Sequence, residues 1–468
     1  MFEEDDPFTT YRTPTESHLC WHLIIFCGFA AWALGGSIAW APPFLIAIGL
    51  VGMLLYFMHG SFVPMGRHPI GTFMRNLWPF WVSLGIALAG LYYYPVELLT
   101  VEKTEQYALV PGPWWLPANT AAYSSWLPLF FKGCLLITAY NLLEISTSSY
   151  MLKKLLTILA TNAMLLATLG YLLQILDSKK ILLSISAPHP GFFATFTHPD
   201  HWGAFAFIWS MVALSLIAQL NRQHSWRTTM ANRGVWFITG TLILISTLFI
   251  IPSPLYQWLF CLGFGLLLIH TAILNFRHKR RTALRTAYNF ASVGIGVCIL
   301  VIPTFRFIQA WMLADKDIHQ ITPAVTETTL TWSYKLALYE DAWSAFCAKP
   351  LFGWGHDSFE RVLAFYQNAD ISDYYFASAH SDLLEMMVEN GLLGTFVWLA
   401  VPGYYFIKFF RLKHKRTLSY HLFGSCVLGL IAALIDFPFQ NPAFTISFWI
   451  IFFSAYSWSS VVDRRRQC

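Results

Sequence analysis

The sequence contains few charged residues for its length. Charged side chains make up 12% of the 468 residues, whereas 56% are hydrophobic and the mean hydropathy is +0.51. A typical soluble domain has about 25% charged residues. The composition therefore excludes an ordinary soluble enzyme and leaves no room for a separate soluble domain. The net charge of +5 reflects membrane topology and does not indicate a nucleic-acid partner.

The sequence also lacks the usual signatures of metal sites, disulfide frameworks and cleaved leaders. No C-x-x-C or H-E-x-x-H spacing occurs, so we expect no metal site and no cofactor. Of the eight cysteines, only Cys347 lies outside the apolar runs and the C-terminal tail, which argues against disulfides. The acidic start Met1–Asp6 has no basic region, so we expect the first apolar run to remain as a helix.

Apolar runs close to membrane length recur along the chain. They predict an all-α, polytopic integral membrane protein with about 12 transmembrane helices in a single transmembrane domain, residues 1–468. The runs lie at 19–40, 42–59, 77–94, 126–145, 155–176, 201–220, 235–251, 258–276, 290–307, 389–410, 420–436 and 443–461. No internal repeat is evident, which argues against an inverted-repeat transporter.

The distribution of Lys and Arg predicts the orientation. With both termini in the cytoplasm, 21 of the 30 Lys and Arg residues lie on the cytoplasmic side, as the positive-inside rule requires. The remaining nine lie outside or in the membrane: Lys103, Lys132, Lys179, Lys180, Arg306, Lys316, Lys335, Lys349 and Arg361.

One long outer loop, residues 308–381, separates the ninth and tenth spans. Trp332, Leu336, Tyr339 and Trp343 repeat in it at helical spacing and predict a helix over 330–348. Outer loops of such length are usually functional.

His380 ends this loop at the boundary between water and membrane. Its imidazole suits acid–base chemistry near neutral pH, and the helix that follows offers N–H donors to a diphosphate. Gly391 and Gly394, further along, permit close helix contact. The alternative is an interfacial histidine, followed by Ser381, that only caps a helix.

Outer cations are the other candidate binding groups. Arg306, Lys335 and Arg361 can each neutralise a diphosphate; the alternative for Arg306 is a side chain that snorkels to the membrane surface. For Arg361, Lys316 and Lys349 we favour a solvated surface position.

Two further groups of polar residues lie at helix entries. His198 and His201 flank Asp200, which we expect to be the N-cap of the sixth span. Glu385 and Glu389 lie four residues apart on one helical face. The two carboxylates either orient His380 or a nearby cation, or simply lie in the solvated opening of the helix bundle.

Three sequence blocks together resemble a known family. His380-Ser381 followed by nine residues and G-L-L-G resembles the H-[NSQ]-x9-G-x-x-G signature of O-antigen ligases and their polymerase and protein O-oligosaccharyltransferase relatives. Pro350–Phe359 resembles the P-L-x-G-x-G-x-x-x-F block, and Phe192–Ala204 resembles the G-T-F-x-N-P-N-H-x-A block. The resemblance covers roughly residues 180–445.

The resemblance implies a GT-C-like glycosyltransferase of the bacterial inner membrane with its active site facing the periplasm. Its donor is a glycan on undecaprenyl diphosphate, and transfer is inverting and metal-independent. His380 is then the catalytic base, with Arg306, Lys335, Lys179 and Lys180 as diphosphate-binding residues. This chain departs from the family in having Lys179, Lys180 and Lys335 where family members often have arginine, and in having H-P-D-H at 198–201 in place of N-P-N-H.

The acceptor is left open by the sequence. A ligase uses lipid A-core, which we favour, as a step of lipopolysaccharide biosynthesis in the cell envelope. A polymerase uses another lipid-linked unit, and an oligosaccharyltransferase uses a protein serine. Two alternatives of another class are a transporter of the lipid-linked glycan and a scaffold without activity.

Overall fold

A computed structural model describes most of the chain. The described residues are 14–60, 69–101, 104–110, 112–121, 124–146, 148–176, 180–182, 185–186, 191–223, 234–251, 253–276, 283–313, 332–367, 376–413 and 416–467. Lys179, Lys316 and much of the predicted 308–381 loop lie outside these ranges, and the side chain of Arg306 is not described.

Helices dominate the described residues. The first half of the chain contains α1 (Pro14–Trp32), α2 (Ala41–Gly60), α3 (Pro69–Asn76), α4 (Trp78–Gly90), α5 (Trp126–Glu144), α6 (Ser149–Ile175) and α7 (Pro199–Gln223). The second half contains α8 (Gly234–Ile250), α9 (Pro254–Phe276), α10 (Ala283–Leu313), α11 (Trp332–Ala348), α12 (Phe359–Leu363), α13 (Asp382–Arg411), α14 (Thr417–Ile435) and α15 (Pro442–Gln467).

Eight of the described helices are long and apolar enough to cross a membrane. They are α2, α5, α6, α7, α9, α13, α14 and α15, and shorter apolar stretches occur in α4, α8 and α10. Each of the twelve predicted runs coincides with a helix, the remaining one being α1. The chain is thus an all-α polytopic membrane protein, and a count of twelve spans stays a prediction.

Two helices form the centre of the bundle. The membrane-length part of α15 is 94% buried and that of α7 is 78% buried, more than in the other candidate spans of the described residues. Trp202, Trp209 and Phe205 of α7 are fully enclosed. Because most of their side chains are enclosed by other helices, these two helices form the rigid core on which the neighbouring segments pack.

Two short antiparallel hairpins accompany the helices. Strand β1 (Val96–Val101) pairs with β2 (Thr104–Leu109), with Val96 opposite Leu109. Strands β3 (Lys180–Ile181) and β4 (Ile185–Ser186) form the second. The sequence analysis did not predict these hairpins. Because they lie between helices, they do not alter the helical class of the membrane part.

The helix predicted over 330–348 is confirmed as α11 (Trp332–Ala348), and the residues whose spacing identified it are not the ones that form its core contacts. Leu336 and Trp343 are about half exposed, whereas Leu338, Ala342 and Phe346 form its core contacts. Aromatic spacing identified the helix correctly but not the side that packs. Large apolar side chains at a membrane surface do not need to face the protein core.

Candidate active site

His380 is held in an unusual backbone conformation immediately before α13. Its φ of 47° lies in the left-handed region, which is uncommon for a residue other than glycine. The next residue, Ser381, is the N-cap of α13, and its hydroxyl accepts a hydrogen bond from Leu384 N. The carbonyl oxygen of His380 accepts a hydrogen bond from the Tyr339 hydroxyl at 2.9 Å. The long-loop helix α11 therefore fixes the position of His380.

Three histidines surround one aromatic ring. The Phe437 ring centre lies 4.6 Å from that of His380, 5.1 Å from that of His201 and 5.4 Å from that of His198. The rings meet edge to face in each pair, the geometry that aromatic quadrupoles favour. We call these four residues the histidine cluster. The sequence blocks around 192–204 and 380 thus converge through Phe437, which neither block contains.

His198 and not Asp200 caps α7. The helix begins at Pro199, and Nδ1 of His198 accepts a hydrogen bond from Asp200 N at 3.3 Å. The prediction that Asp200 is the N-cap is therefore wrong, because Asp200 already lies in the first turn. Its carboxylate lies 3.7 Å from the same His198 nitrogen.

Asp436 is a site residue that the sequence analysis did not select. Its carboxylate is buried at the end of α14, where Oδ2 accepts a hydrogen bond from Tyr256 at 2.7 Å and Oδ1 has no partner. Its carbonyl oxygen accepts a hydrogen bond from Asp382 N at 3.2 Å, and the Asp382 carboxylate accepts one from Phe439 N at 2.8 Å. An acidic residue that ends an apolar run at the membrane boundary is the signal that was available in the sequence.

Burial makes His380 a neutral imidazole. Desolvation, with smaller contributions from the positive charge of Lys335 and from His198, lowers its pKa to about 3. Among the described residues, Nδ1 of His380 has no hydrogen-bond partner, and neither ring nitrogen of His201 has one. Because a buried polar atom without a partner is costly, these nitrogens are available for groups that enter the site.

The predicted diphosphate-binding cations occupy different places. Lys335 of α11 lies close to the histidine cluster, and its Nζ donates a hydrogen bond to Ile435 O at 3.4 Å. Arg306 lies near the outer end of α10. Lys180 is exposed in β3, and Lys179 lies outside the described residues. Lys335 is thus the cation that the described contacts bring to His380.

Glu385 supports the segment that carries His380. Its carboxylate accepts hydrogen bonds from Ala379 N at 3.0 Å and from Gln440 Nε2 at 2.7 Å. Glu389, one turn further along α13, accepts a hydrogen bond from Ser358 N at 3.1 Å. Each carboxylate therefore binds backbone of a neighbouring loop.

Lys132 lies between these carboxylates and His356. It interacts electrostatically with Glu389 and Glu385, and its Nζ lies 3.4 Å from Nδ1 of His356. Lys132 was counted among the nine outer cations but was not given a role. A cation inside an apolar run is the sequence signal for such a residue.

The two glycine motifs join the outer loop to a break in α13. Gly391 interrupts the helix with φ 62° and ψ −173°. Leu392 N and Leu393 N then donate to Pro350 O and Leu351 O at 2.8 and 3.1 Å. On the other side of the break, the Val388 and Glu389 carbonyls accept hydrogen bonds from Trp354 N and Gly355 N at 3.0 and 2.8 Å. The loop therefore replaces the hydrogen bonds that the helix loses.

The close contact predicted at Gly391 involves this loop and not another helix. A Cβ at Gly391 would collide with the backbone of Leu351, and one at Gly353 would collide with the Glu389 carbonyl. A Cβ at Gly394 would lie 2.7 Å from that of Asn390, within the same helix. At Gly391 the partner surface is therefore the Pro350–Gly355 backbone and not another helix.

Two outer cations have structural contacts in place of the expected solvated surface. Lys349 is fully buried, and its Nζ donates to Pro113 O and Leu116 O at 2.9 and 3.2 Å. Burial lowers the pKa of Lys349 to about 8. Arg361 donates to Thr120 O at 3.0 Å. Both cations fasten the outer loops to one another.

Among the residues that the structure describes, no group of three or more His, Cys, Asp and Glu side chains is placed to hold a metal ion. In the histidine cluster, the described contacts of the three imidazole rings with Phe437 are aromatic contacts.

The fold and this buried polar site at the end of a helix bundle define a polytopic membrane protein with a site at the membrane boundary. Residues 126–399, more than half of the chain, match the O-antigen ligase family. The chain belongs to that family. A search of curated proteins gives no match.

Membership of the family makes the chain a membrane glycosyltransferase of the O-antigen ligase or polymerase type. The matched segment begins at α5, includes Lys132 and ends within α13 after His380 and the glycine break. A lipid bilayer, a lipid-linked glycan and an acceptor are the partners that the family implies.

Proposed function

We propose that the chain transfers a glycan from undecaprenyl diphosphate to a hydroxyl of lipid A-core on the periplasmic face of the inner membrane. The observation that carries the proposal is His380, a buried neutral imidazole that α11 and the Ser381 cap fix at the start of α13. An imidazole so placed can accept a proton from an incoming hydroxyl.

In the proposed reaction the acceptor oxygen attacks the anomeric carbon of the glycan and inverts it. The bond between that carbon and the diphosphate oxygen breaks, and undecaprenyl diphosphate leaves with the electron pair. The proton of the acceptor hydroxyl passes to His380. Because the leaving group is a stabilised anion, fixed cations are sufficient to assist its departure, and the proposal needs no metal.

Binding of the donor would strengthen His380 as a base. In the structure its pKa is about 3 because the imidazole is desolvated beside Lys335. A diphosphate placed next to Lys335 adds negative charge, which offsets the lysine and favours the protonated imidazole. His380 is therefore proposed to gain basicity when the donor is bound. In the empty site the imidazole then has little tendency to take a proton from a hydroxyl.

We assign the diphosphate to Lys335 and Arg306, with Lys179 and Lys180 as outer helpers. Lys335 has contacts at the end of α14 beside His380, and Arg306 lies seven residues before the end of α10. A guanidinium offers bidentate geometry, whereas an ammonium acts as a point charge. His198, His201 and Ser381 are proposed to shape the site around His380.

The proposed topology is one transmembrane domain, residues 1–468, with residues 308–381 as a periplasmic insertion and both termini cytoplasmic. It is supported by the asymmetric distribution of Lys and Arg. The site then faces the compartment that contains a flipped lipid-linked donor and its acceptor.

A reconstituted transfer assay tests the proposal. The purified full-length chain in nanodiscs is given a defined undecaprenyl-diphosphate glycan together with lipid A-core, a second lipid-linked unit or a serine peptide. We expect a glycosylated lipid A-core of inverted anomeric configuration. Product on either of the other acceptors would overturn the acceptor assignment, and movement of the donor without bond cleavage would indicate a transporter.

The diphosphate assignment has its own test in the same preparation. Arg306→Ala and Lys335→Ala should each weaken binding of the donor, because each removes a positive charge from the proposed phosphate site. Unchanged donor affinity in both variants would contradict the assignment. Lys408→Ala, on the opposite end of α13, serves as the charge-matched control.

A further inference from the structure

A second polar site lies between α4, the segment before α5 and the break in α13. It is a narrow cleft whose polar lining comes from four separate parts of the chain: Ser83, Asn119, His356, Glu389 and Asn390. Apolar walls are supplied mainly by Ile86, Ala87 and Phe352. We call this feature the α4–α13 cleft. It belongs to neither the histidine cluster nor the proposed diphosphate cations.

One polar side chain of the cleft is buried without a partner. Ser83 is 3% exposed, and its Oγ has no hydrogen-bond partner. A buried hydroxyl of this kind costs free energy in an empty protein. In an apolar helix that packs on α13, alanine would remove that cost. The hydroxyl is therefore placed to form a hydrogen bond with a ligand group that enters the cleft.

The charges of the cleft favour a neutral ligand. The Glu389 carboxylate lines it, and Lys132 lies behind it against His356 and interacts electrostatically with Glu389. Burial, and then Lys132, lower the pKa of His356 well below its usual value, so that imidazole is uncharged. The lining residues include no lysine or arginine that would bind a diphosphate, whereas their hydroxyl, amide, imidazole and carboxyl groups together can donate to and accept from sugar hydroxyls.

The cleft is also connected to the proposed reaction centre by rigid structure. Glu389 lies seven residues after Asp382 on the same helix, about 10 Å along its axis. Glu385, on the same face, accepts a hydrogen bond from Ala379 N, the residue before His380. A ligand held in the cleft is thus at a fixed distance from His380.

We propose that the α4–α13 cleft binds the hydroxyl-bearing edge of a neutral saccharide and so holds a sugar of the transfer substrates away from the reacting carbon. The assignment deepens the proposed function and rests on it. Ser83 and Glu389 are the specificity-determining residues, and the narrowness of the cleft selects one ring edge, not a whole oligosaccharide.

The test uses Ser83→Ala in the full-length chain in nanodiscs. Ser454 provides a matched control, because it is also buried with an unpartnered hydroxyl but lies in α15 and does not line the cleft. Saturation-transfer NMR measures binding of two neutral probes, maltose and N,N′-diacetylchitobiose. We expect Ser83→Ala and Glu389→Gln to weaken binding of at least one probe several-fold, with Ser454→Ala unchanged.

Thermal unfolding without a probe separates binding from folding. Ser83→Ala should leave the Tm unchanged or raise it, because it removes an unsatisfied hydroxyl. Wild-type affinity for both probes in Ser83→Ala and Glu389→Gln would overturn the proposal, and so would no binding of either probe to the wild type. Inorganic pyrophosphate, expected to bind the two variants as it binds the wild type, is the contrasting probe.

The experiments can contradict the proposed saccharide site without contradicting the proposed transfer reaction, and the reverse. If both are correct, His380→Ala should reduce transfer by about 10²–10⁴-fold while it leaves probe binding intact. Probe binding that depends on Ser83 in a chain without transfer activity would remove the proposed function and retain a saccharide site. Transfer with a KM unchanged by Ser83→Ala would remove the site and retain the reaction.

Discussion

At the scale of single residues, backbone strain coincides with the sequence blocks. Five residues other than glycine have positive φ in the described structure, and three of them, Ala194, Asp357 and His380, lie in the three blocks. Such conformations cost of order 1–3 kcal/mol each and persist only where the surroundings enforce them. The Tyr339 hydrogen bond and the Ser381 cap enforce the one at His380.

Several residues of the site could not be predicted from the sequence alone. His380 was predicted as the centre of the site because it ends a loop at a membrane boundary, lies in a chain with few outer cations and belongs to three blocks that resemble the family; its position alone favoured a capping role. Phe437, Asp436 and Lys132 were not selected, because their importance depends on contacts between segments far apart in sequence. No local pattern states that three histidines will surround one phenylalanine.

The low pKa of His380 predicts a pH-dependent stability. Burial lowers the pKa from 6.5 to about 3, so between these values the unfolded chain binds a proton that the folded chain does not. The stabilisation is complete above pH 6.5 and is lost as the pH falls toward 3, by at most about 1.4 kcal/mol per pH unit. A change from pH 7 to pH 4.5 should therefore lower the Tm of the wild type more than that of His380→Gln, as measured by thermal unfolding at each pH. Parallel curves for the two proteins would contradict the burial of a neutral imidazole.

At the scale of elements, hydropathy predicted every long helix but not how the helices end or break. The hairpins β1–β2 and β3–β4 were missed because strand pairing is set by contacts across a turn and not by local propensity alone. The break in α13 was missed because G-L-L-G in an apolar run is also the pattern of a helix contact. The motif marks a helix break and not a helix contact at Gly391, because the Pro350–Gly355 backbone packs against that residue.

Substitution of Gly391 tests the break. Gly391→Ala should lower the Tm markedly and reduce transfer, because its φ and ψ are accessible essentially to glycine only and a Cβ would meet Leu351. Gly403→Ala in the same helix is the matched control, since a Cβ there meets no atom within 4 Å. Equal Tm values for the two variants would show that the break is not required.

At the scale of the whole molecule, the site is assembled from the ends of helices that are distant in sequence. The histidine cluster packs on the buried helices α7 and α15 and on the end of α14. Helix α11 contacts the cluster through the hydrogen bond from Tyr339 to the His380 carbonyl. Composition and Lys/Arg asymmetry predicted a membrane protein with an outer site. They could not predict how the loop packs on the bundle, because that depends on buried contacts such as those of Lys349.

Cys347 tests the topology without an engineered probe. It is exposed in the last turns of α11, whereas Cys20, Cys27, Cys134 and Cys426 are buried. A membrane-impermeant maleimide added to spheroplasts should label Cys347, and Cys347→Ser should remove that label. Labelling of Cys347 only after permeabilisation would place the loop in the cytoplasm and contradict the proposed orientation.

The central claim, that His380 accepts the proton of the acceptor, is tested most directly by single-turnover transfer with His380→Ala. A general base contributes about 10²–10⁴-fold, so we expect a loss of that size with donor affinity and Tm close to those of the wild type. His18→Ala, at an exposed position in α1, should transfer at the normal rate. A His380→Ala protein that is folded, inserted in the membrane and transfers at the wild-type rate would contradict the account.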